Sequence, residues 1–139
     1  MIHIIVATHG GLARELVHTA QLIVGAQDDL QPICLEMHEG IEDLKRKFLA
    51  AFRPESEGIT GYLVLVDMFG GTPSNVAFEL SQTHPVRVVT GANLPMLLEA
   101  ITHRPILDLP GLAEFTSKKG RQSIFNANDL FPAPGRREE

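Results

Sequence analysis

The chain has 139 residues, the size of one domain that can bury a core without disulfide or metal staples. Its 12 basic and 17 acidic residues leave a net charge of −5, which excludes nucleic-acid binding as the main role, because affinity for a phosphate backbone needs a basic surface. A single cysteine, Cys34, excludes an intramolecular disulfide and a multi-cysteine metal site.

Short β-rich runs alternate with helical patterns along the chain. The first run is Ile2 to Ala7. A helix follows over Leu12 to Val24, with Leu12, Leu16, Ala20 and Ile23 on one face and Gly25 placed for a C-terminal cap. The run Leu30 to Leu35 contains Pro32, which cannot donate to a ladder, so it is expected at a sheet edge. A second helix, Ile41 to Phe52, turns Ile41, Leu44, Phe48 and Phe52 to one side. Its early Glu42 and Asp43 and later Lys45, Arg46 and Lys47 suit the helix dipole.

Tyr62 to Val66 is continuously apolar and reads as a central strand. A helix is predicted from Pro73, with Thr72 as its N-cap. After the run Val86 to Val89 come a helix over Pro95 to Ile101, capped by Asn93, and another over Pro110 to Lys119, between Asp108 and Gly120. A last short apolar run is Ser123 to Phe125. The tail Pro132 to Glu139 shows no periodicity and reads as disordered. The expected domain is residues 1–126, with a tail over 127–139. No apolar run approaches the roughly 20 residues that span a bilayer. The N-terminal run lacks the basic stretch of a signal peptide, so a cytoplasmic protein without membrane insertion is expected.

This alternation implies an α/β fold with a doubly wound, mainly parallel sheet and helices on both faces. Pro32 in an edge strand fits the flavodoxin-like order 2-1-3-4, in which strands 1 and 3 are neighbours at the switch point where ligands bind. Two strand ends then share one crevice: Thr8-His9-Gly10-Gly11 and the segment Asp67 to Asn75.

His9 is a candidate nucleophile, since a neutral imidazole is available near pH 7. An Asp67 carboxylate accepting the proton of one ring nitrogen would leave the other lone pair free and stabilise a cationic ring after attack. Gly10 leaves room beside the ring. Gly70-Gly71-Thr72-Pro73 reads as a glycine turn opening a helix, whose free amides suit an anion such as a phosphoryl group. The plainer alternative is a polar strand end, a loop-capping aspartate and an ordinary capped turn. No Walker A loop or GxGxxG is present and no histidine spacing suits a metal, so neither cofactor nor metal is expected. Cys34 falls in a strand and reads as an inert thiol.

Three motifs, Val6 to Gly10, Leu65 to Asn75 and Thr90 to Leu97, closely resemble the enzyme IIA domain of the mannose family of the bacterial sugar phosphotransferase system. The resemblance covers about residues 1–125. It implies a phosphotransferase with a phosphohistidine intermediate: His9 accepts the phosphoryl group, Asp67 orients its ring, and the Gly70, Gly71 and Thr72 turn binds phosphoryl oxygens. It further implies the histidine-containing phosphocarrier protein as donor and an enzyme IIB as acceptor. It also implies a homodimer that exchanges a C-terminal strand matching Ser123 to Phe125. The chain stops after a short Pro-containing tail, so a separate IIB is expected. Alternatives are a regulatory phosphoacceptor, the phosphotransfer subunit of dihydroxyacetone kinase, and a flavodoxin-like module binding a small anion without catalysis.

Overall fold

Apolar and β-branched runs form four strands, β1 (Ile2–His9), β2 (Leu30–Leu35), β3 (Gly61–Val66) and β4 (Val86–Thr90). A computed structural model describes residues 1–131. The strands pair in the order β2-β1-β3-β4, and every pairing is parallel. This is the doubly wound order expected from the sequence. Pro32 lies in the outer strand β2, opposite Val6, where its missing amide costs least.

Among the described residues there are six α-helices: α1 (Leu12–Val24), α2 (Ile41–Ala51), α3 (Thr72–Ser81), α4 (Leu94–His103), α5 (Leu109–Gln122) and α6 (Ala127–Leu130). Alternate residues of the central strands serve opposite layers. Ile4, Val6, Leu63 and Leu65 pack with Ala13 and Val17 of α1, Leu97 and Ala100 of α4, and Leu112 of α5. Ile5, Ala7, Val64 and Val66 pack with Leu44 and Phe48 of α2 and with Val76 and Ala77 of α3.

Several boundaries and faces differ from expectation. In α1 the buried face is Ala13, Val17 and Ala20, while Leu12 and Ile23 are exposed. The cause lies outside the helix: the Ala13 amide donates to the buried Thr8 hydroxyl at 2.7 Å, which turns that side toward the sheet. In α2 the buried set is Leu44, Phe48 and Ala51; Ile41 is exposed, and Phe52 follows the last helical residue. Gly71, in extended backbone, caps α3, so Thr72 is already helical. Asn93 and Asp108 do cap α4 and α5, accepting from the amides of Met96 and Gly111.

Gly120 does not end α5. It lies inside the helix, where Met96 of α4 occupies the space a Cβ would need. Ser123 to Phe125 forms no strand in the single chain. The Ser123 hydroxyl donates to the Gly120 carbonyl at 2.6 Å and closes α5, leaving Ile124 and Phe125 exposed. Residues 127–130 are helical, and Pro132 to Glu139, the segment read as disordered, lies outside the described residues.

The amino ends of the strands are closed by buried polar groups. The Arg104 guanidinium donates to the carbonyls of Asp28 at 2.6 Å, Asp29 at 2.7 Å and Ile2 at 3.2 Å. His3 is buried beside them and donates from Nε2 to Gln31 Oε1 at 2.8 Å. Its Nδ1 lies 3.6 Å from Asp29 Oδ1, a carboxylate oxygen already bonded to Arg53 at 2.9 Å. Burial holds this imidazole below its ordinary 6.5. Below that pH the unfolded chain takes up a proton that the folded ring resists. The contribution is therefore complete above pH 6.5 and is lost as pH falls. Between about pH 7.5 and about pH 5.5 this ring is expected to remove at most about 1.4 kcal/mol from the urea-unfolding free energy. His3→Gln is expected to flatten the pH profile by that amount. Superimposable profiles for the two proteins contradict the assignment.

Candidate functional site

Because β1 and β3 are adjacent and parallel, with Ala7 opposite Val66, the residues just beyond them emerge together at the carboxyl edge of the sheet. His9 is the last residue of β1, and Asp67 follows β3 directly. Their side chains meet: His9 Nδ1 lies 2.8 Å from Asp67 Oδ2. The His9 backbone amide donates to the same oxygen at 3.0 Å, and the Met68 amide donates to Oδ1 at 3.1 Å. A carboxylate only accepts, so in the neutral ring the proton sits on Nδ1 and the Nε2 lone pair is free. The partners differ in exposure, at 15% for Asp67 and 46% for His9. The orienting group is sheltered while the ring stays open to a reactant.

Two turns hold this pair. Gly10 has φ +56°, a left-handed conformation that reverses the chain after His9, and its amide donates to the Leu35 carbonyl at 2.8 Å. Gly70 has φ +84°, and its carbonyl accepts from Asn75 Nδ2 at 3.3 Å. Gly71 is a glycine for another reason. Its φ of −81° suits any residue, but a Cβ there would lie 2.7 Å from His9 Cε1 and 3.3 Å from Nε2. The imidazole rests against the bare Cα of Gly71. Thr72 opens α3 immediately beyond, where first-turn amides lack intrahelical acceptors.

The structure thus brings His9, Asp67 and Gly71 into contact and places Gly10, Gly70 and Thr72 in the two turns around them. The Thr72 hydroxyl bonds to neither His9 nor Asp67. Sequence reasoning missed Thr8, whose hydroxyl anchors α1 from the strand end. It acts five residues before the amide it binds, beyond the reach of ordinary N-cap patterns. Among the described residues, no group of three or more His, Cys, Asp or Glu side chains could hold a metal ion. No helix of the described residues is long and apolar enough to cross a membrane. A cavity of about 750 Å³ lies away from His9. It is a groove beside β4, lined by Phe69, Phe78, Val88 and Ile124 among others.

A parallel α/β sheet thus presents an aspartate-bonded imidazole at its switch point, and comparison with known proteins gives the family. The family model described as the fructose IIA component of the PTS system matches residues 3–116. The chain is 32% identical over 127 residues to the fructose-specific EIIA component of Bacillus subtilis, covering 89% of this chain and 85% of that protein. It is 33% identical over 129 residues to the mannose-specific EIIAB component of Escherichia coli K12; the match covers 88% of this chain and 39% of that longer protein. Among solved structures, EIIA from Streptococcus agalactiae superimposes with a TM-score of 0.85 at 26% identity, covering 93% of this chain and 99% of that one. The mannose/sorbose-specific IIA subunit from Enterococcus faecalis gives 0.79 at 32% identity, with coverages of 88% and 91%. The chain belongs to the fructose/mannose IIA family of the sugar phosphotransferase system.

The Gly71 contact yields a test that needs no partner protein. Diethyl pyrocarbonate acylates a free imidazole lone pair. Gly71→Ala is expected to slow modification of the His9 peptide roughly tenfold, because the added methyl crowds Cε1 and Nε2 and displaces the ring. The folded fraction by circular dichroism is expected to be unchanged. Equal reactivity of the two proteins at His9 contradicts the steric role.

Proposed function

We propose that the chain is a phosphoryl carrier in which His9 Nε2 is the reacting atom. The observation that carries this reading is the 2.8 Å contact of Nδ1 with Asp67, which commits one ring nitrogen and frees the other. The Nε2 lone pair attacks the phosphorus of a phosphohistidine on the histidine-containing phosphocarrier protein. A new N–P bond forms, the donor N–P bond breaks, and its electron pair returns to the donor ring. The phosphorylated His9 ring keeps its Nδ1 proton on Asp67, whose negative charge offsets the positive charge the ring acquires. The group then passes by the same displacement to a histidine of an enzyme IIB.

Exchange between two imidazoles needs positioning and charge stabilisation more than driving force. Gly71 leaves space for the ring itself, Gly10 and Gly70 shape the turns, and the free first-turn amides of α3 are available to the phosphoryl oxygens. Met68 and Phe69 flank Asp67 as exposed apolar side chains, which suits a site that meets proteins. The unit that does this is residues 1–126, working in the cytoplasm with neither metal nor cofactor. The relatives are named for fructose, mannose and sorbose, and no sugar follows from them for this chain.

Incubation with phosphoenolpyruvate, enzyme I and the phosphocarrier is expected to add one phosphoryl group by intact mass, labile to acid and stable to alkali. His9→Ala is expected to accept none. Asp67→Asn is expected to accept it about 10-fold more slowly, the scale for losing a ring-orienting partner. Continued phosphorylation of the His9→Ala protein contradicts the reading, and an unchanged rate for Asp67→Asn reduces Asp67 to a loop cap.

The open edge of β4 supports the dimer implied by the family. Among the described residues β4 has a sheet partner on one side only, and an apolar groove runs beside it. We assign this groove to Ser123–Phe125 of a second copy, which would cover an edge that otherwise invites aggregation. Light scattering is expected to show a dimer at micromolar concentration and a monomer after truncation following Ser123. A stable monomer of the intact chain contradicts the assignment and leaves the His9 chemistry untouched.

A further inference from the structure

We propose that Arg14 is a phosphoryl-binding residue of this chain, held on Glu36 until His9 is phosphorylated and then transferred to the phosphoryl oxygens. This inference rests on the carrier reading.

Its first support is position. Arg14 lies in the first turn of α1, and its guanidinium folds back over the turn that follows His9. Nη1 comes within 3.0 Å of where a Cβ on Gly11 would stand. Gly10, with φ +56°, reverses the chain between His9 and Gly11, so the guanidinium stands against the loop that follows the imidazole.

The second support is an electrostatic mismatch. A cation in the first turn of a helix opposes the macrodipole, whereas the neighbouring Glu15 agrees with it. The compensation in the resting protein is slight. Arg14 Nη2 reaches Glu36 Oε1 at 3.3 Å, and the side chains are 58% and 53% exposed. A single contact between two exposed side chains contributes little, and among the described residues the guanidinium makes no other hydrogen bond.

The cradle beneath this loose pair is firm. Glu36 follows Leu35, the register partner of His9. The Glu36 amide donates to Glu39 Oε1 at 2.8 Å, and Lys47 holds the same oxygen at 2.6 Å. The cations of α2 are committed elsewhere: Lys47 also bonds the Cys34 carbonyl at 2.8 Å, Lys45 bonds Glu79 at 3.0 Å and Arg46 bonds Asp43 at 3.1 Å. The backbone at Glu36 is therefore fixed, while the Arg14 side chain is free to exchange its anion. A phosphoryl group adds up to about two negative charges and three acceptor oxygens, and a planar guanidinium fork binds such oxygens two at a time. Arg14 stays protonated throughout. It forms no covalent bond and supplies hydrogen bonds to the group as it leaves the donor nitrogen and settles on Nε2.

Potassium phosphoramidate, a small phosphoryl donor for histidine, tests this without a partner protein. Wild type is expected to gain one phosphoryl group, mapped to His9. Arg14→Gln is expected to load about tenfold more slowly and to lose the group faster, with an unchanged melting temperature in the unphosphorylated state. Arg14→Lys is expected to fall between, and Glu36→Gln, which frees the guanidinium, to load at least as fast as wild type. The Arg14 side-chain nitrogen resonances are expected to shift when His9 is phosphorylated. Equal loading and equal lifetime for wild type and Arg14→Gln overturn the role of Arg14 alone. Failure of wild type to be phosphorylated at His9 overturns the carrier reading and this inference with it.

Discussion

The bond between His9 Nδ1 and the Asp67 carboxylate is the constraint from which the rest of the site follows. One oxygen of that carboxylate takes both the ring nitrogen and the backbone amide of His9, so it locks the side chain and the main chain of the same residue together. The other oxygen is held by the Met68 amide. Such a carboxylate has little freedom to turn away, and the ring it holds has one tautomer available. That bond exists because β1 and β3 are hydrogen-bonded neighbours in a parallel sheet, which sends both strand ends to the same edge. Interposing any strand between them would separate the two residues by roughly a further strand spacing of about 4.8 Å and break the pair.

The two ends of the sheet have divided tasks. The amino end is closed by Arg104 and His3, buried polar groups that tie the entry of β1 to the loop before β2. The carboxyl end stays open, with an exposed imidazole, two glycine-bearing turns and exposed Met68 and Phe69. Rigidity behind and access in front suit the carrier role proposed for His9. No enclosed pocket is required for this, and the large groove accordingly lies elsewhere, along the free edge of β4.

Much of this was legible in the sequence where a local rule coincided with a global one. Pro32 marked an edge strand, the apolar run at Tyr62 to Val66 marked a central one, and alternation supplied the order that pairs His9 with Asp67. Asn93 and Asp108 acted as the caps their positions suggested. What was not legible depended on contacts distant in the chain. The face of α1 is set by the Thr8 hydroxyl, not by the largest side chains, so Leu12 and Ile23 are outside. Gly120 resembled a helix stop but is a helix interior, because its partner is Met96 on another helix. Gly71 was read for its amide, yet its structural role is the absence of a side chain against the His9 ring. Ser123 to Phe125 has a strand's composition without a strand's neighbour in the single chain.

The claim on which all of this turns is the state of one proton. Long-range proton–nitrogen correlation spectra of the unphosphorylated protein, recorded near about pH 8, report which imidazole nitrogen of His9 carries it. The account predicts a protonated Nδ1 and a bare Nε2 in wild type. A proton resident on Nε2 would contradict it, because the nitrogen assigned to attack phosphorus would then have no lone pair to offer.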